Sequence, residues 1–154
     1  MITTVVSMLL LLQPLLPGPQ LEKETWKRVY TSEDSIIELD TSRVVFTEYN
    51  AQKKITFAAV RVGRVTFRTV FSKGATLMDS PPIKYKTRVE TIEFNCPAKR
   101  YRLYEATLLD SKGKVVRFLK RDTSENWREL RFGSMMEKLS LPACKLIDEK
   151  RRIP

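Results

Sequence analysis

Histidine is absent from all 154 residues, and cysteine occurs only twice, at Cys96 and Cys144. Without histidine the chain lacks the usual general base at neutral pH and the commonest nitrogen ligand for transition metals. Two cysteines cannot complete a four-ligand zinc site, and no acidic loop is spaced for calcium. Nucleophile arrangements that depend on histidine are excluded, no glycine-rich phosphate loop occurs, and no carboxylate pair stands apart by context. The expectation is a protein that is not an enzyme and that holds no cofactor and no metal. Glycine is also scarce, at five, and neither an internal repeat nor a low-complexity tract interrupts the chain.

Cationic charge, by contrast, is plentiful. Lys and Arg number 28 against 18 Asp and Glu, a net charge of +10. A surplus of that size bears on partners more than on fold: it favours acidic proteins, sulfated glycans, lipid headgroups or nucleic acid. Length and a hydrophobic fraction of 42% suit one globular domain with a real core.

The first 20 residues run against that trend, carrying no charged side chain, and Val5 to Leu16 is mostly aliphatic before Pro17-Gly18-Pro19. This pattern predicts a signal peptide over 1–20 and a single domain over 21–154. The run is too short, and too interrupted at Pro14, for a membrane span. Its leading residues lack lysine and arginine, so a retained hydrophobic arm is the alternative. In an exported chain Cys96 and Cys144 pair, and closing their loop of 48 residues stabilises the fold by about 4 kcal/mol. In a reducing compartment they would be two buried free thiols.

Beyond residue 25 the residues alternate as strands do. Trp26 to Tyr30, Ser35 to Leu39 and Val44 to Tyr49 are predicted strands separated by polar turns, and Ile55 to Val62 is predicted to end or bend at Gly63. Arg64 to Phe71 places Val65, Phe67, Thr69 and Phe71 on one face and Arg64 and Arg68 on the other. Ser72 to Pro82 reads as a long loop. Lys84 to Phe94 sets Lys84, Lys86 and Arg88 opposite Tyr85, Thr87 and Val89, and a bulge near Thr91 is expected because Ile92 and Phe94 fall in phase with the lysines. Tyr101 to Leu108 and Lys114 to Leu119 flank the turn Asp110-Ser111-Lys112-Gly113, the pattern of a hairpin. Trp127 to Leu130 is a brief last strand.

The period then changes. Ser134 with Glu137 forms a capping box, Met135, Met136, Leu139 and Leu141 give an apolar stripe, and Pro142 is expected to stop the helix, leaving 148–152 as a frayed tail. The fold class is therefore α+β: a single antiparallel sheet of about six strands with a short C-terminal helix packed on it. Trp26, Trp127, Tyr101 and Tyr104 are assigned to the core, as are Met135 and Met136. The candidate partner-binding surface is a basic face of Arg64, Arg68, Lys84, Lys86 and Arg88, with Lys99, Arg100 and Arg102 near Cys96. Its alternative is a solvated sheet face that keeps the edges soluble.

Several of these features, in their order, resemble the surface-adhesin protein E family. They are Trp26, the Asp40 turn after Ile36-Ile37, Phe94-Asn95-Cys96, the Asp110 to Val116 hairpin, Trp127, Phe132-Gly133-Ser134 and Cys144. Together they cover nearly all of residues 25–146. The resemblance implies an extracytoplasmic antiparallel sheet joined to a C-terminal helix by a Cys96–Cys144 disulfide. It also implies a protein partner, by analogy with an adhesin that binds host matrix and serum proteins such as vitronectin and laminin. This chain departs from the family in having no cysteine after its apolar run to accept a lipid, and in having Phe132 where a proline is usual. A structural or accessory role in the cell envelope is the alternative function. A basic nucleic-acid-binding protein is a weaker one, because no reading motif supports it.

Overall fold

A computed structural model describes residues 25–49, 60–120 and 127–151. The expected signal segment 1–20, the turn at 50–52, the first part of the Ile55 to Val62 strand, the polar stretch 122–126 and the last tail residues lie outside them. Eight strands form one antiparallel sheet: β1 (Trp26–Thr31), β2 (Ser35–Asp40), β3 (Val45–Tyr49), β4 (Val60–Leu77), β5 (Ile83–Asn95), β6 (Arg100–Leu109), β7 (Val115–Lys120) and β8 (Arg128–Glu129). The main path runs β1-β2-β4-β5-β6-β7. Two strands share edges with neighbours: β3 pairs the start of β4 where β2 pairs its middle, and β8 pairs the start of β6 where β7 pairs its end.

One face of this sheet carries the helix α1 (Met135–Arg151). Ile37, Leu39, Val65, Phe67, Ile92 and Phe94 from the sheet meet Leu139, Ala143, Leu146 and Ile147 from the helix in one buried cluster. The capping box forms as expected: Ser134 Oγ accepts from Glu137 N at 3.2 Å, and the Glu137 carboxylate reaches back to Gly133 N at 2.6 Å. Two expectations about the helix are overturned. It runs through Pro142 to Arg151 instead of stopping, because the inward stripe continues at Ala143, Leu146 and Ile147, and their burial outweighs one lost backbone hydrogen bond. Leu141 lies off that stripe and is 71% exposed.

Gly63 explains how the helix sits so close. It does not end a strand: β4 continues through it to Leu77, with a register shift against β5 between Val70 and Ala75, so the expected loop from Ser72 shrinks to the residues after Leu77. A methyl group at position 63 would lie 2.4 Å from Ile147 Cγ1. Gly63→Ala is therefore expected to cost roughly 1–3 kcal/mol through overpacking, read as a lower urea midpoint. Adding Ile147→Ala to that variant should cost less than the same change in the native chain. Equal costs in the two backgrounds would show that the overlap does not govern the packing.

The disulfide joins Cys96, just past β5, to Cys144 within α1, with Cα atoms 5.9 Å apart. The bulge expected near Thr91 exists, but the extra residue is Tyr104 on β6: Thr91 faces Glu105 while Ile92 faces Leu103. β5 itself keeps unbroken register with β4 from Phe94 to Thr87, so it needs no change of phase.

Candidate partner-binding surface

Opposed residues of an antiparallel pair share a face, so the registers sort the predicted basic residues. Arg64 lies opposite Glu93 and Arg68 opposite Val89, whereas Arg88 lies opposite Thr69. Thr69 belongs to the helix-bearing face with Phe67. Arg88 therefore projects to that side, while Arg64 and Arg68 project to the far side; Lys84 and Lys86 lie past the break in the β4–β5 register between Val70 and Ala75. The strands are neighbours, yet the eight residues do not form one patch.

On the far face the arginines are built into the sheet. Glu93 is buried at 1% exposure and receives Arg64 Nε at 3.2 Å and Nη2 at 2.6 Å, while Arg102 Nε binds its other oxygen. Arg68 makes the equivalent fork to Glu38, at 2.9 and 2.7 Å. Each guanidinium also lies over a ring: Arg64 is 3.4 Å from the Tyr104 centroid, Arg68 is 4.3 Å from Trp26 and Arg102 is 4.7 Å from Trp127. Such sites use the planar fork and flat face that only arginine provides. Trp26, Tyr104 and Trp127, expected in the core, instead form this half-buried layer, whereas Tyr101 does pack against the core cluster. The sequence signal for the network is a lone glutamate inside the apolar run Ile92-Glu93-Phe94, which becomes legible only with the strand register.

Arg88 pairs with Glu90, whose carboxyl burial pushes above its ordinary value against the opposing pull of Arg88. Arg100 meets Glu129 at 3.5 Å and Arg117 meets Asp79 at 3.3 Å. Among the described residues every ion pair is made by an arginine and none by a lysine. Among the described residues the cations outside any ion pair include the lysines and also Arg28, Arg43, Arg128 and Arg131. Lys73, Lys84 and Lys86 line a cleft of about 380 Å³ with Gly74, Tyr85, Asp110 and Ser111. Lys86 Nζ donates to the Ser72 carbonyl, which orients the ammonium without neutralising it.

Asp110 is committed to the turn at the cleft's rim, its Oδ1 accepting Lys114 N at 2.9 Å and Lys112 N at 2.8 Å. The Lys114 bond foremost holds its carboxyl below the ordinary range. Lys112 and Lys114, on the same turn, and Lys73 were not singled out by the sequence. Lys99, at φ 49° in the turn after Cys96, is exposed and apart from this cleft.

Among the described residues no three His, Cys, Asp or Glu side chains gather in the manner of a metal site, and no helix is long and apolar enough to cross a membrane. The described residues thus form a single antiparallel sheet, one face stapled to a helix and the other laid with arginine–aromatic stacks. The chain belongs to the surface-adhesin protein E family, whose family model matches residues 26–145. This membership carries a non-enzymatic, adhesin-like role at or beyond the cell surface. No curated protein and no solved structure matches the chain.

Proposed function

We propose that the protein is an exported binding module that contacts an acidic region of a protein partner through its lysine-bearing end. Residues 1–20, uncharged and largely aliphatic, are the export signal in this reading, and 21–154 is the mature domain. The partner class is a host matrix or serum protein, in keeping with the family. The observation that supports the proposal is a cluster of cations: the far-face arginines are held by carboxylates and rings, while Lys73, Lys84 and Lys86 share one cleft and, among the described residues, none of them has an ion pair. Unpaired ammonium groups steer association over distance and lose that influence as salt rises.

Replacing Lys73, Lys84 and Lys86 together with glutamate is expected to weaken binding to immobilised vitronectin or laminin by roughly tenfold or more and to flatten its salt dependence. The melting temperature should stay near native, because none of the three holds an ion pair. Unchanged affinity in the triple variant would overturn the proposal. So would capture of only the organism's own envelope proteins, which would make this an accessory part of the envelope.

A further inference from the structure

Among the described residues the last strand of the sheet, β7, is paired along one side only, against β6. An edge strand presents a row of backbone donors and acceptors to any extended chain that can reach it. Both edge strands carry a register shift, β1 between Arg28 and Tyr30 and β7 between Val115 and Arg117, but at the opposite end Lys138 of α1 also lies over the Tyr30 ring.

The side chains of β7 decide which chain is admitted. Val115 and Phe118 are 54% and 51% exposed, large apolar groups on a strand that alternates them with charge. Lys114, Arg117 and Lys120 are all cationic, and no acidic residue occurs from Ser111 to Lys120. A second copy pairing antiparallel about Arg117 would set arginine against arginine, and directly opposed like charges destabilise a sheet pair. An extended segment that alternates apolar residues with Asp or Glu meets the opposite situation. Across the register shift in β7, Val115 and Phe118 lie opposite Leu109 and Thr107 on one face while Arg117 lies opposite Leu108 on the other, so the carboxylates of such a segment meet Arg117, its apolar residues cover Val115 and Phe118, and its backbone completes the ladder. The Asp110 turn holds the strand in place beforehand. Among the described residues Arg117 pairs with Asp79, at 3.3 Å with both side chains about half exposed, so an incoming carboxylate exchanges with it on the surface.

From this we infer that the outer edge of β7 is a docking edge for an extended, acidic and apolar segment of a partner protein, added as a further strand. The inference rests on the reading of this protein as a binding module but does not use its lysine cleft.

Amide hydrogen exchange on the full chain tests it, with a blocked synthetic peptide of alternating valine and glutamate long enough to span β7. Exchange within Val115–Lys120 is expected to slow by roughly tenfold or more, with β1 and β2 unaffected. The matching valine–lysine peptide should give no protection, and Phe118→Glu should remove most of the effect of the acidic one. Protection elsewhere, no protection, or equal protection by the lysine peptide overturns the inference without needing any variant to fold. If the exchange experiment fails while the lysine-cleft variant still loses vitronectin or laminin, the edge falls and the binding module stands. If the lysine-cleft variant binds normally while β7 is protected, the cleft falls and the edge stands.

Discussion

Replacing Glu93 with alanine is expected to destabilise the protein by about 3 kcal/mol, the lower part of the range for breaking a buried pair. The carboxylate is 1% exposed and binds Arg64 and Arg102 at once. Its removal leaves two guanidiniums on neighbouring positions with no anion between them. The arginine side chains keep 19% and 22% of their exposure, so water softens the loss, which is why the lower figure applies. In a domain of this size the melting temperature should fall by roughly 10 °C. Glu93→Gln, which keeps the shape and some hydrogen bonding, should cost about half as much. A native-like urea midpoint for the alanine variant would show that the network contributes no more than an exposed surface pair.

The second large effect is expected from the double substitution Cys96→Ser/Cys144→Ser. Opening a loop of 48 residues restores conformational freedom to the unfolded chain worth about 4 kcal/mol. Because that loop includes β6, β7, β8 and half of α1, the loss should appear in global unfolding. Reductant should lower the native protein's midpoint to that of the double variant and leave the variant unmoved. A native protein indifferent to reductant would mean that the bond adds nothing to packing already sufficient by itself.

Much of the fold was legible because its signals are local. The alternation of Val65, Phe67 and Thr69, the Asp110 turn and the Ser134 to Glu137 capping box each need only a few consecutive residues. Where the reading failed, the deciding contact was remote. Gly63 looks like a strand breaker until Ile147 is placed over it, more than eighty positions later in the numbering. Pro142 looks like a helix stop until Ala143, Leu146 and Ile147 are seen to share the inward stripe.

The basic face was legible as composition but not as geometry. Arg64 and Arg88 both alternate with apolar residues on adjacent strands, and only the register of β4 on β5 shows that they point to opposite sides. Nor does a sequence distinguish a cation with a partner from one without. That distinction depends on Glu38 and Glu93 arriving from other strands, and on Trp26, Tyr104 and Trp127 supplying rings for the guanidiniums they meet.

The separation of arginine from lysine bears on how this surface can change over generations. Each far-face arginine answers to a carboxylate and a ring, so substitution there is felt by the whole sheet. A lysine with no ion pair answers mainly to solvent and ligand, and exposed substitutions of that kind usually fall within about 0.5 kcal/mol of neutral. On the proposed role of the lysine cleft, ligand preference would change one lysine at a time on an unaltered frame, so that recognition would drift faster than architecture.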